Sequence, residues 1–399
     1  MQENVKRKIC VFTGNRAEFG LLAPVIRSIH DHPELLVRVI VSGAHLDEKW
    51  GKTHKEIEAE GVEVSYEVAI DYPVSRGAVA TPLAISGVVK EIAGIIELEQ
   101  PDIFLVYADR FETFGAAIAA SQAGVVTAHI EGGDLTDGGA LDDSVRHAIT
   151  KLSHYHFTTN AEAAARILGM GEESWRVKCV GLTTSESIRS KNFASPAECE
   201  AQLGITISSP IIIFTQHSVA TEHLDAERQV ADSLLALTKF RPIAQIIITY
   251  PNNDLGGEQI ISKLRALNSD CPEIIVVKSL GRYLYHGLLA LAVDPNVRIC
   301  IVGNSSSGIK ETPFFHCPTV NIGSRQNGRL RAGNVIDVGQ DAASIADAIK
   351  TCLFDDRFRS KCRQCENPYD AGESPSLLIS KALAEAKLGT RALNKQMTY

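Results

Sequence analysis

Short apolar runs recur along the chain, each ending in a small or polar residue and each separated from the next by a segment of helical spacing. In the first half these runs are Lys8-Ile-Cys-Val-Phe-Thr13, Val37-Arg-Val-Ile-Val-Ser42, Ile103-Phe-Leu-Val-Tyr107 and Val125-Val-Thr-Ala-His129. Residues 21–29, 53–60 and 114–123 carry the helical pattern between them. Strands that are apolar throughout are buried on both faces, so the alternation predicts a parallel sheet covered by helices. Sheets wound this way bind ligands beyond the carboxyl ends of their strands.

The rhythm restarts at Pro210-Ile-Ile-Ile-Phe-Thr215 and continues through Gln245-Ile-Ile-Ile-Thr249, Ile274-Ile-Val-Val277, Val297-Arg-Ile-Cys-Ile-Val302 and Thr319-Val-Asn-Ile322. A polar stretch over 182–200, containing Ser195-Pro196, divides the halves. A chain of 399 residues exceeds what one core organises. The expected class is therefore α/β, with two Rossmann-like domains over 1–185 and 186–375. Residues 376–399 read as a C-terminal helix, over 376–386, and a polar tail that pack back on the first domain.

Composition narrows the partners. The net charge is -8 and no Lys/Arg run offers a phosphate-tracking stripe, which excludes a nucleic-acid surface. The amino-terminal residues lead straight into a strand without an apolar leader, and no apolar stretch approaches the roughly 20 residues of a membrane helix. The nine cysteines are scattered singly apart from Cys362-Arg-Gln-Cys365, which lacks the strand of a redox pair and the second pair of a zinc site. Reduced thiols in a cytoplasmic protein are expected, with no metal and no cofactor.

Polar residues gather at the predicted strand ends. Gly14-Asn-Arg-Ala-Glu-Phe-Gly20 is a glycine-bounded turn that opens a helix, and Arg16 brings a charge suited to phosphate. Asp109-Arg110 follows one strand and His129-Ile-Glu131-Gly-Gly133 the next, with His129 and Glu131 on the same side of an extended backbone. In the helical run from Leu141 to His154, Asp142 and Arg146 stand four apart, as do Asp143 and His147. The second half adds Thr215-Gln-His217, Pro251-Asn252, Gly303-Asn-Ser-Ser-Ser-Gly308 with Glu311 a turn later, and Gly323-Ser-Arg325-Gln-Asn-Gly-Arg329. Serines at a helix start cap it, and their free N–H groups suit a diphosphate, while Glu311 suits the two hydroxyls of a ribose. Each cluster alone also has a plain structural reading as turn, cap or helix salt bridge.

Taken together these motifs resemble the hydrolysing UDP-N-acetylglucosamine 2-epimerases, which include bacterial sialic-acid pathway enzymes and the epimerase half of the bifunctional mammalian enzyme. The resemblance runs through Asn15-Arg-Ala-Glu-Phe-Gly20, Ser42-Gly-Ala-His45, Asp109-Arg110, His129-Ile-Glu-Gly-Gly133, Asp142-Asp-Ser-Val-Arg-His-Ala-Ile-Thr-Lys-Leu152, Gly303-Asn-Ser-Ser306 and Asn321-Ile-Gly-Ser-Arg325. It implies a fold like that of GT-B glycosyltransferases, with the active site in the interdomain cleft. It implies conversion of UDP-GlcNAc and water to UDP and N-acetylmannosamine, by a homodimer or homotetramer. Carried over to this chain, Arg16, His217, Ser305, Ser306, Glu311 and Arg325 would hold UDP, with Asn252 among the binding residues. Asp109, Glu131 and Asp142 would be the catalytic acids, His217 would also serve catalysis, and His45, Arg110, His129 and His154 would lie close by. The loop over 132–141 is a residue or two longer than in the mammalian relative, which leaves Asp143 as an alternative to Asp142.

The chemistry accounts for several carboxylates. The C2 proton of an N-acetyl sugar has no adjacent carbonyl to acidify it, so loss of UDP must precede or accompany its removal. Donors must stabilise the leaving diphosphate, one carboxylate must take the C2 proton, and another group must return a proton from the opposite face. Glu131 and Asp142 are the expected opposite-face pair. The related substrate UDP-2,4-diacetamido-2,4,6-trideoxyglucose and the non-hydrolysing 2-epimerase reaction remain as alternatives.

Overall fold

The computed structural model describes residues 6–14, 16–46, 61–71, 79–136, 140–252 and 256–399. The helix expected over 53–60 lies outside the described residues. Contacts divide the chain into two compact units. The first comprises Met1–Asp134, Leu141–Glu186 and Tyr369–Tyr399, and the second Leu135–Ala140 and Ser187–Pro368.

Unit 1 begins with β1 (Arg7–Thr13), α1 (Arg16–Asp31), β2 (Leu35–Ser42) and β3 (Val64–Val68). There follow α2 (Ala80–Glu99), β4 (Ile103–Tyr107), α3 (Phe111–Gln122), β5 (Val126–Ile130), α4 (Ala140–Leu152), β6 (Tyr155–Thr158), α5 (Ala161–Gly169) and β7 (Val177–Cys179). The seven strands are ordered β3-β2-β1-β4-β5-β6-β7 and pair in parallel. Alternation explains why β1 is apolar on both sides. Ile9 and Val11 join the core under α1, whereas Cys10 and Phe12 join the core under α2 and α3.

Unit 2 repeats the plan with β8 (Ile211–Thr215), α6 (Ala226–Thr238), β9 (Gln245–Thr249), α7 (Gly257–Asp270), β10 (Ile275–Val277) and α8 (Gly281–Ala290). It closes with β11 (Ile299–Gly303), α9 (Ser307–Lys310), β12 (Thr319–Ile322), β13 (Val335–Val338) and α10 (Ala342–Phe354). Its six parallel strands run β10-β9-β8-β11-β12-β13. Ile212 and Phe214 face one core and Ile211 and Ile213 the other. Each sheet reverses its strand order once, between β1 and β4 in unit 1 and between β8 and β11 in unit 2. Those switch points are where a doubly wound sheet opens a crevice for ligand.

Several elements differ from expectation. The helix α1 starts at Arg16 rather than at 21 and accommodates Pro24 in its interior. The helix α2 and the strands β3 and β13 were not anticipated. The buried stripe of α2, at Ala84, Val88, Ile92 and Ile96, repeats every fourth residue, but the glycines and β-branched residues between them obscure it. The Ser195-Pro196 dipeptide is a helix start rather than a linker. Ser195 accepts from the Glu198 N–H, and the Glu198 side chain returns a bond to the Ser195 N–H, closing a capping box on Pro196–Leu203.

The terminal residues carry more structure than a polar tail. The helix α11 (Pro375–Glu385) packs on α1 in unit 1, and the chain beyond it forms one more turn, α12 (Thr390–Leu393). Arg176, with its side chain fully buried, donates to the carbonyls of Ala392, Arg391 and Asn394 at 2.7, 3.2 and 3.2 Å. Residues 390–399 are thus part of unit 1. Among the described residues no helix is long and apolar enough to cross a membrane.

Candidate functional site

The carboxyl ends of β1, β2, β4 and β5 carry the first cluster. Two adjacent strands end in left-handed residues that are not glycine, Ala108 at φ 57° and Glu131 at φ 63°. Such backbone is strained for an L residue and persists only where surrounding contacts enforce it. Here the contacts are specific. His129 Nε2 lies 2.8 Å from the Ala108 carbonyl, and the guanidinium of Arg146 donates to the Glu131 carbonyl at 3.1 Å. The same guanidinium hydrogen-bonds Asp109 and approaches Asp143 at 3.9 Å. Arg146 therefore ties together the ends of β4 and β5 and the first turn of α4. Burial works against its charge, but the charges of Asp109, Asp134, Glu131 and Asp143 outweigh burial and hold the Arg146 pKa well above its usual value.

The histidines do different work from that expected. His129 is fully buried, and burial pushes its pKa down to about 3. A carbonyl only accepts, so the Nε2 of neutral His129 carries the proton for Ala108, and Nδ1, 3.2 Å from the Thr150 hydroxyl, accepts. His129 orients the turn that delivers Asp109 and has no ring nitrogen left for a ligand. His45 is fully buried and lies 3.1 Å from Thr13 Oγ1, bridging the ends of β1 and β2. His154 is a correction. It accepts from the Thr127 N–H at 3.0 Å, at the amino-terminal end of β5, because α4 has carried the chain back across the sheet. A helix of 13 residues spans about 20 Å. His154 thus lies at the opposite edge from Asp109 and Glu131, and burial holds its pKa at about 4.

Asp142 is exposed in the first turn of α4, whereas Asp143 is the residue turned toward Arg146. Arg110, at the amino terminus of α3, lies 3.5 Å from Glu112. Arg16 opens α1, and its side chain lies outside the described residues. Glu18 stands in the Gly14–Gly20 turn with no role marked by the sequence. This buried carboxyl accepts from the Gly14 N–H at 2.8 Å, yet burial and then the charge of Glu112 raise its pKa to about 8. The folded protein keeps Glu18 protonated between its unfolded pKa and about 8, so it binds more protons than the unfolded chain there. Stability must then fall as pH rises through that window. Glu18→Gln is expected to melt at about the wild-type temperature at pH 5 and about 3 °C higher at pH 8.5, as calorimetry at both values would show.

The second cluster belongs to unit 2 and centres on Asn304, just after β11. Its side chain accepts from the His217 N–H at 2.7 Å and donates to the His217 carbonyl at 2.8 Å. Its own carbonyl accepts from Arg325 at 3.0 Å and Gln326 at 2.8 Å. Gly303, at φ +134°, makes this approach possible, because a Cβ there would stand 1.9 Å from the Thr215 carbonyl. His217 Nδ1 accepts from the Asn252 N–H at 3.0 Å. Burial, then the charge of Arg325, hold the His217 pKa at about 3, so the ring is neutral with its proton on Nε2, a donor and not an acid.

Ser305 and Ser306 lead into α9, which is a single turn rather than the longer helix expected. Among the described residues the N–H groups of Ser305, Ser306 and Ser307 find no protein acceptor. Ser305 Oγ lies 3.0 Å from Ser307 Oγ, which in turn meets the Tyr285 hydroxyl at 2.9 Å. Glu311 is fixed by His286 Nε2 at 2.7 Å. Tyr285 and His286, on α8, are supporting residues that the sequence did not mark, because they stand inside a helix rather than directly after a strand. Arg329 reaches the Leu135 carbonyl and the Thr136 hydroxyl, both at 2.9 Å, and is occupied within unit 2.

Comparisons with known proteins follow the same lines. A sequence profile of the family described as UDP-N-acetylglucosamine 2-epimerase matches residues 27–382. The UDP-N,N'-diacetylbacillosamine 2-epimerase (hydrolyzing) of Legionella pneumophila is 32% identical over 98% of this chain and 100% of its own. A UDP-N-acetylglucosamine 2-epimerase of Neisseria meningitidis serogroup B is 32% identical over 93% of this chain and 92% of its own. Among solved structures, a Neisseria meningitidis UDP-GlcNAc 2-epimerase bound to UDP-GlcNAc superposes with a TM-score of 0.81. That match covers 95% of this chain and 100% of the other at 20% identity, which shows a shared GT-B-like fold of two parallel-sheet α/β domains.

Proposed function

This chain belongs to the UDP-N-acetylglucosamine 2-epimerase family, and from that premise we propose that it hydrolyses UDP-GlcNAc to UDP and N-acetylmannosamine with inversion at C2. The observation that carries the reading is the convergence of Asp109, the Glu131 turn and Asp143 on one buried guanidinium, beside two strained strand ends. Strain and like charges concentrated at strand ends beside a sheet's switch point mark a site built for reaction rather than for stability.

The roles follow from the chemistry. The N–H groups of Ser305 to Ser307, the Nε2–H of neutral His217 and the cation of Arg325 suit the diphosphate, and Glu311, fixed by His286, suits the ribose hydroxyls. Glu131 takes the proton from C2 as the C1–O bond breaks and UDP leaves with the bonding pair. The product of that step is an alkene between C1 and C2. Asp143, or its neighbour Asp142, returns a proton to C2 from the other face, and water adds at C1. Asp109, held by Arg146, is the carboxylate left to offset the positive charge that develops at C1. The expected use of the product is nonulosonic acid synthesis, by a homodimer or homotetramer in the cytoplasm.

A second substrate has its own support. The Legionella pneumophila relative matches this chain end to end and is named for diacetylbacillosamine, a sugar with an additional acetamido group at C4 and a methyl at C6. Incubating the protein with each UDP-sugar in D2O and following the reaction by NMR tests both readings. The expected result is free UDP and a C2-epimeric sugar with one deuterium at C2. An epimeric UDP-sugar with no UDP released would replace hydrolysis by the non-hydrolysing reaction, and turnover of the diacetamido sugar alone would transfer the proposal to that substrate.

A further inference from the structure

We propose that residues 390–399 act as a positioning element for catalysis, with Lys395 capping the carboxyl end of α4 and so fixing Arg146 and Asp143 at its other end. The proposal rests on the reaction assigned above to those residues. Lys395 Nζ donates to the carbonyls of Lys151 and Ser153 at 2.8 and 2.7 Å, which are orphan acceptors at the end of the helix. The same ammonium lies 2.8 Å from Glu172 Oε2.

Glu172 is the anchor of a buried network. It is 2% exposed and also meets Lys151 at 2.5 Å and His156 Nε2 at 3.2 Å. Burial works against its charge, but the hydrogen bonds from His156, Lys151 and Lys395 outweigh burial and hold its pKa at about 2. A buried anion with three nitrogen partners is costly to break from one side, because the remaining charges stay behind. The neighbouring chain is bound just as closely. The Thr398 N–H donates to the Gly171 carbonyl at 3.2 Å, and the Gln396 N–H to Glu173 at 3.3 Å. The Tyr399 ring fills the space where a Cβ on Gly171 would stand, 2.4 Å from Cε1. Arg176 joins this segment to the Ala392 carbonyl at 2.7 Å and the His154 carbonyl at 3.3 Å.

A hydrogen-bonded helix is a stiff rod, so a clamp at Leu152 restrains the turn that carries Asp143 and Arg146. Nothing in residues 390–399 would touch a substrate held by Asp109 and Glu131, since the clamp lies at the opposite edge of the sheet. The segment therefore acts on turnover through geometry, where displacements of about 1 Å cost up to a hundredfold.

Lys395→Met in the intact chain removes the donors and keeps the aliphatic stem. It is expected to lower kcat about tenfold, with KM within about threefold, and to speed amide hydrogen exchange along α4. Lys395→Arg, which restores donors and charge, should recover most of both. Should the Met variant fail to fold, Lys395→Gln carries the same expectation at smaller amplitude. Wild-type kcat in the Met variant overturns the proposal, as does a loss of kcat with α4 exchange unchanged, or a loss that Lys395→Arg does not recover. A wild-type protein that releases no UDP would remove the assigned reaction, and the exchange measurement would still decide whether the segment restrains α4.

Discussion

Replacing Glu131 by Gln is expected to lower kcat for UDP release by about a thousandfold, the weight of a positioned general base, with KM nearly unchanged. The substitution is chosen for what it preserves. Gln has the size of Glu, and the backbone bonds that hold this residue do not involve its side chain. Its N–H donates to the Phe157 carbonyl at 2.9 Å, and its carbonyl accepts from Arg146 at 3.1 Å. Both should survive, and with them the left-handed φ of 63°. The melting temperature should fall by no more than about 4 °C, since packing is kept and what is lost is one carboxylate charge facing the buried Arg146. Steady-state UDP release beside calorimetry separates the two effects. A variant that releases UDP at the wild-type rate would remove Glu131 from the proton transfer.

Arg146→Met should do broader damage. It leaves Asp109 and Asp143 without their shared cation and the Glu131 carbonyl without its donor. Breaking such a pair from one side costs about 3 kcal/mol, much of it the penalty of the charge left behind. The loosened carboxylates should also lower kcat by about a hundredfold. The double variant Asp109→Asn/Arg146→Met separates the two causes. It removes one orphaned charge, so part of the lost stability should return, while activity should not. Thermal melts of the single and double variants, together with UDP release, give the answer. A single variant as stable and active as wild type would show that the guanidinium holds nothing of consequence.

The fold class was legible because its signal is local. Apolar runs such as Ile211 to Phe214 are buried on both faces, and a strand buried on both faces implies helices on both sides. The position of Asp109 directly after β4 and of Glu131 directly after β5 followed from the same reading, since strand ends can be marked from the chain. Less local features were hidden. Which acid of the Asp142-Asp143 pair turns toward Arg146 depends on the rotation of α4 against the sheet. The family resemblance puts His154 close to the catalytic acids, yet α4 carries it to the far edge. The terminal residues looked like a solvated tail because Lys395 is polar, and only the presence of Glu172 and the carbonyls of α4 makes burying it possible.

By itself the sequence determined the two α/β units, their parallel strands and the grouping of polar residues at strand ends, all consequences of burial repeating at short intervals along the chain. The tertiary structure alone decided the state and aim of the individual groups. Glu18 is held protonated at neutral pH because burial, and then the charge of Glu112 from the first turn of α3, disfavour its anion. Burial, then the charge of Arg325, keep His217 neutral, and the Asn252 N–H donating to Nδ1 fixes the ring proton on Nε2. Asp109 is aimed by Arg146 across 37 residues. Proton affinity and direction depend on charges and dipoles contributed by distant segments, and no pattern along the chain encodes the distance between them.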